Sequence, residues 1–282
     1  MKKLYVATGI IVASLFLALL LFYEKEVSVI KFFPIDDSLS FHSYHTELKL
    51  LSETDQDEYD IKWTTYSNLT DPIYLRQDVS LLFSDGRLKG ILSKWKENEK
   101  NIQLQTLVHG EDSSHYQTIS FHHGEIHYPD DEIKSIHAMS SDELYVIDSP
   151  YTALESFDQP MNSSQKEWKK TLDHATNQQL SYHWKQLIDY FQIPKDQYIY
   201  VPLTELMSYE KKPIPGLTQE VTERVIGQLW EGLYKNYILG ISETQKPVDS
   251  FIPLILFDKD GKHLMVLYQD QNGKKEQLIQ YY

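Results

Sequence analysis

The side chains best placed to do chemistry lie within residues 118–128, where His122, His123, Glu125 and His127 crowd around Gly124. A hairpin turn at His123-Gly124 would set His122 opposite Glu125 and Ser120 opposite His127. His122, Glu125 and His127 would then share one face, and Ile119, Phe121, Ile126 and Tyr128 the other. Two imidazoles and a carboxylate suit zinc or another borderline divalent metal, with a fourth position open for catalysis. A half-exposed antiparallel hairpin alternates polar and apolar residues in the same way without any ligand. Neither H-E-x-x-H nor paired cysteines accompany the run, so no resident metal or cofactor is expected, and His122, Glu125 and His127 stand as the one metal alternative.

Other chemistry finds less support. Asp258, Asp260 and Gly261 resemble the opening of a calcium loop, but the twelfth position is Gln269 rather than a bidentate glutamate, and Asp-Gly already explains a hairpin turn. Asp130, Asp131 and Glu132 follow Pro129 and read as a solvated turn. No G-x-S-x-G, no Ser-x-x-Lys with Ser-Asp-Asn and no glycine-rich phosphate loop occurs, and without cysteine there is no thiol nucleophile. Tyr198 and Tyr200 share one face of a short strand and could stack on sugars, although tyrosine is also a preferred strand residue.

These side chains are positioned by an α+β chain: an N-terminal transmembrane helix, an antiparallel β-rich half, and a C-terminal half of two helices with a β-meander. Residues 4–22 carry no charge and no proline, and as a helix they cover close to the roughly 30 Å of a bilayer core. The small-x-small cleavage pattern of a secretory leader is missing after them, which favours an uncleaved anchor. Lys2 and Lys3 precede the span while Glu24 and Glu26 follow it, placing the body outside the cytoplasm. The expected organisation is a cytoplasmic stub (1–3), a transmembrane signal anchor (4–23), a membrane-proximal connector (24–60), a β-rich subdomain (61–149) and an α+β subdomain (150–282).

Within the β-rich part, Asp85-Gly86 predicts a hairpin over residues 79–92, and five to seven strands are expected in all. Pro150 and Pro160 bracket a stretch with no clean period. A capping box at Ser164 and Glu167 predicts a helical segment closed by Pro194, either bent near residues 177–179 or split there into two consecutive helices. Thr218 predicts the cap of a second helix with Val221, Val225, Leu229 and Leu233 along one stripe. Asp260-Gly261 and Asn272-Gly273 then join three strands.

Setting aside Lys2 and Lys3, the body carries a net charge of −16, which repels nucleic acid and anionic headgroups. With no cysteine and about 260 residues, it is large enough to fold without disulfides, which favours a bacterial envelope setting. The expected function is a non-catalytic, membrane-anchored extracytoplasmic module that binds or regulates another envelope or membrane protein. The alternatives are an anchored envelope-polymer hydrolase using His122, Glu125 and His127, and a glycan-binding module.

Overall fold

A computed structural model describes residues 31–55, 58–239, 250–270 and 272–282. The anchor expected at residues 4–23 lies outside them, and among the described residues no helix is long and apolar enough to cross a membrane. The fold is α+β and rich in strands. A six-stranded sheet holds β1 (Ser43–Asp55), β2 (Glu58–Ser84), β3 (Arg87–Gly110), β4 (Ser114–His127), β5 (Ile133–Ser149) and β6 (Thr152–Phe157). Helix α1 (Ser163–Tyr190) follows, then β7 (Tyr198–Pro202), helix α2 (Gln219–Leu233), β8 (Leu254–Asp258), β9 (His263–Gln269) and β10 (Lys275–Tyr281). The last four strands form a second antiparallel sheet in the order β10-β9-β8-β7.

The length of β2 shapes the first sheet. Its early residues pair with β1, as in Thr46↔Thr65, and its later residues pair with β4, as in Ser80↔Ser120. The β2–β3 register shifts between Asn68 and Ile73, where β2 changes partners. The sheet thereby doubles back and brings β1 against β5, where Leu48 N–H donates to Asp142 Oδ2 at 2.7 Å. The Asp85-Gly86 turn forms as expected, with Asp85 at φ 48° and Gly86 at φ 81°.

Helix α2 is the centre of the molecule. Thr218 caps it by accepting from Val221 N–H, and Val225, Leu229, Trp230 and Leu233 are fully buried. One face meets the first sheet, where Trp230 stacks on Phe121 at 5.1 Å. The other faces the second sheet, where Gln280 Nε2 donates to Val225 O. Each such side chain contributes about 1.5–3 kcal/mol on burial. One apolar core therefore includes Val79, Leu81 and Phe121 from the first sheet together with Ile255, Phe257 and Val266 from the second.

Several local expectations are corrected. No turn forms at His123-Gly124: β4 runs straight through from Ser114 to His127, paired on both sides by β2 and β5, and two ladders override one local turn signal. Gly124 serves a close approach instead, since a Cβ there would meet Ile73 Cδ1 at 2.4 Å. The chain reverses at Pro129–Asp131, with Asp130 and Asp131 in left-handed conformations. Asn162, not Ser164, caps α1, accepting from Gln165 N–H at 2.8 Å. Helix α1 continues through residues 177–179, because Thr176, Leu180 and His183 are buried in succession there. Strand β6 forms in the stretch that lacks a clean period and pairs with β5.

Candidate functional site

Continuity of β4 decides the fate of the predicted trio. Alternate residues of a strand point to opposite faces, so His122 is directed into the fold of the first sheet while Glu125 and His127 share the other face with His123. His123 Nε2 lies 3.8 Å and His127 Nε2 3.7 Å from the Glu125 carboxylate, and the His127 ring stacks on Tyr74 at 3.6 Å. His122, Glu125 and His127 are thus not brought together. Among the described residues no group of three His, Cys, Asp or Glu side chains is arranged to hold a metal.

His122 instead belongs to a buried polar layer. Its Nδ1 is 2.9 Å from Asp78 Oδ2 and its Nε2 is 2.8 Å from Ser140 Oγ. Ser67 Oγ donates to Asp78 Oδ2 at 2.6 Å, and Arg76 donates to Ser67 Oγ and, at 2.6 Å, to the Lys100 carbonyl. Arg76, Asp78 and His122 are all 0% exposed. Burial lowers the Arg76 pKa, against the opposing pull of Asp78 3.9 Å away. From Ser140 the hydroxyl chain runs through Thr46 at 2.6 Å and Ser120 at 2.6 Å to Ser80 at 2.6 Å.

The layer follows from strand periodicity. On β2, Arg76, Asp78 and Ser80 alternate with Gln77, Val79 and Leu81, and of these Val79 and Leu81 reach the α2 core. Apolar clusters flank the polar residues at either end, with Tyr116, Leu82 and Leu144 on one side and Ile73, Ile126 and Ile136 on the other. Sequence reasoning missed Asp78 and Ser140 because they lie 44 and 18 residues from His122. The one available signal was the polar run Arg76-Gln77-Asp78 directly before the largely apolar Val79-to-Phe83 stretch of β2.

Asp78, His122 and Ser140 reproduce the order of a carboxylate–imidazole–hydroxyl relay. Such a relay needs an approachable hydroxyl and donors for an oxyanion. Here Ser140 Oγ is already shared with Thr46, and Ser140 lines neither of the clefts described next. The arrangement can fix the packing of β1 on β4 and β5. Its Asp78 and His122 have no exposed surface.

Two accessible clefts lie elsewhere, on either side of residues 32–40. This strap is stitched to β5 and α2: Phe32 N–H donates to Glu231 Oε2 at 2.8 Å, Ser135 N–H to Pro34 O and Asp36 N–H to Ser135 O, both at 2.9 Å. Asp36 accepts from Ser38 and, at 2.5 Å, from Tyr128 OH, and these bonds hold its pKa down at about 2. One cleft, of about 250 Å³, is lined by Ile136, Met139 and Ile226 together with His137, Glu210 and Glu223. A second, of about 320 Å³, lies between Pro34, Ile35 and the α2 residues Glu220, Val221, Glu223 and Arg224. His137 stacks on Phe121 at 5.4 Å, and burial, aided by His123, depresses its pKa to about 4, leaving a neutral ring at neutral pH.

The remaining sequence candidates are structural. Asp258 takes the backbone N–H groups of Asp260 and Lys262 within the β8–β9 turn. Tyr198 packs with Leu187 and Leu256 rather than facing solvent. His115 stacks on Tyr145 at 4.0 Å, and its two nitrogens are directed at different carboxylates, Glu143 at 3.3 Å and Asp173 at 3.6 Å, so they cannot converge on one ion.

No protein-family model matches the chain, and neither does any curated protein. Two solved structures resemble it weakly. AT1g01470 from Arabidopsis thaliana is 12% identical, with 45% of this chain and 91% of that one covered and a TM-score of 0.26. A glycosyl hydrolase family 2 member from Bacteroides cellulosilyticus is 10% identical over 42% of this chain and 17% of that one, with a TM-score of 0.25. At these scores neither likeness bears on fold or function.

Proposed function

We propose that the chain is a single-pass, membrane-anchored protein whose extracytoplasmic body binds or regulates another envelope protein without catalysing a reaction. One observation supports this most: the polar groups with the best geometry for chemistry, Asp78, His122 and Ser140, are sealed inside the first sheet and spend their hydrogen bonds on one another. Two accessible clefts lie beside the strap that leads back to the anchor sequence, as suits a docking module.

Crosslinking in intact cells, followed by mild solubilisation, tests the proposal. A reproducible membrane companion is the supporting result. Protease added outside whole cells should degrade the body, and full protection would overturn the stated topology. A fluorophosphonate adduct on Ser140 would replace the module with a hydrolase.

A further inference from the structure

The clefts beside the strap gather carboxylates that have no cationic partner among the described residues. Asp37 and Glu220 make no hydrogen bond or ion pair among the described residues, and neither Glu210 nor Glu223 is paired with a cation there. Some exposed carboxylates elsewhere pair with lysines, as in Lys185–Asp189 and Lys235–Glu231, and others such as Glu111 and Glu167 do not among the described residues; those at the clefts are set apart by gathering around a concavity. Arg224 is the one cation lining either cleft among the described residues. Below these carboxylates the walls are aliphatic, formed by Ile136, Met139 and Ile226. His137 adds a half-buried imidazole to the lining. Its ring lines the cleft and makes no hydrogen bond among the described residues, although its neutral form carries a free acceptor nitrogen.

An aliphatic wall under a carboxylate rim matches a side chain with a long apolar stem and a cationic head. At about 250 and about 320 Å³ the clefts fall at or below the lower end of the roughly 300–1000 Å³ typical of small-molecule sites. They suit single side chains better than a cofactor or a sugar chain. Residues 23–31, fully extended, span at most about 30 Å from the end of the apolar run, so the strap stays close to any membrane holding that run.

We propose that the cleft of about 250 Å³ bounded by the strap, β5 and α2 receives lysine or arginine side chains from a basic extended segment of a partner membrane protein. The inference rests on the binding-module reading and names the partner's chemistry. Glu210 and Glu223 take the cationic heads, Met139 and Ile226 pack on the stems, and His137 accepts one N–H.

The test uses the full chain in detergent with the peptide acetyl-Ala-Leu-Lys-Leu-Lys-Ala-amide, and a control peptide with norleucine in place of both lysines. The lysine peptide should bind saturably, and the norleucine peptide about tenfold more weakly or not at all. The double variant Glu210→Gln/Glu223→Gln, which keeps an acceptor for Met139 N–H, should lose about tenfold in affinity. Glu111→Gln/Glu167→Gln, which removes two exposed acids elsewhere, should change it less than about twofold. No saturable binding up to about 1 mM, or equal losses in both double variants, overturns the proposal. A photo-crosslinker at Leu39, which is 42% exposed and lines the cleft, separates this inference from its parent. Adducts on a Lys- or Arg-bearing partner peptide support it. A companion captured from Tyr182 but not from Leu39 leaves the module intact and removes the cleft, and no companion from either position removes the module.

Discussion

The polar layer inside the first sheet and the cleft beside the strap are built from the same chemical groups, carboxylates and imidazoles, in opposite states. Inside the sheet Asp78 and His122 are fully buried and bonded to Ser67, Arg76 and Ser140. At the cleft Asp37 and Glu220 have no partners among the described residues, and the His137 ring is left with a free nitrogen. A buried network specifies packing and is costly to break, whereas an open cluster costs little and can accept a ligand. Residue type alone therefore says little about function; access divides the two regions.

The sharpest way to test the division is to break the sealed layer. Asp78→Ala leaves the Arg76 guanidinium buried without its carboxylate, and a loss of about 3–5 kcal/mol in unfolding free energy is expected. Urea denaturation should show a lower midpoint with an unchanged slope. Ser140→Ala removes a neutral partner from His122 Nε2 and Thr46 Oγ1, so about 1–3 kcal/mol is expected from the same measurement. A Ser140 loss larger than that of Asp78 would mean that the ion pair is not the centre of the layer.

Acid should act first on the other side of the comparison. The His137 pKa is about 4 in the fold against 6.5 when free, so the unfolded chain binds the extra proton. Its contribution is complete above pH 6.5 and is lost as the pH falls towards 4. His183, held near 4 by burial with help from Lys275 and Arg87, adds in the same window. Asp36 behaves as a depressed carboxylate, its contribution present above about pH 3.8 and lost only as the pH falls through about 2. Unfolding curves collected from pH 7 to 3 should therefore slope from pH 6.5 downward, and His137→Gln should flatten that slope.

A smaller effect on stability comes from Gly227→Ala. Alanine favours the helix by about 1 kcal/mol, but its Cβ would lie 2.6 Å from Phe32 Cδ2 and push the ring away. Net stability should move by less than about 1 kcal/mol, while hydrogen exchange at Phe32, Phe33 and Asp36 rises as the strap loosens.

These contrasts also show how far the sequence reaches. The Asp85-Gly86 hairpin, the Thr218 cap and the stripe of α2 are legible because each depends on residues within a turn or two of one another. The β4 turn was misread because pairing with β2 and β5, set by residues up to about 50 positions away, outweighs a His-Gly signal. The relay of Asp78, His122 and Ser140 spans three strands of a doubled sheet, and nothing local records that doubling. The cleft is harder still, since it exists only where residues 32–40 cross β5 and α2, from which they are separated by about 100 and 200 residues.

The closing prediction concerns Glu223→Gln and is the weakest in stability. Glu223 Oε1 accepts from Gln219 Nε2 one helical turn earlier at 3.1 Å, and the residue has no salt bridge among the described residues. Glutamine keeps an acceptor for that bond and a similar helix propensity, so only a solvent-facing charge disappears. Removing one of several clustered negative charges also relieves repulsion with Glu220, which offsets the loss. Thermal unfolding should therefore differ from the parent chain by less than about 0.5 kcal/mol. The same substitution takes one of the cleft's carboxylates from an incoming cation, so peptide affinity should fall while stability stays. A variant that loses stability and binding together would place Glu223 with Asp78, as a residue that holds the fold, and erase the distinction between the two regions.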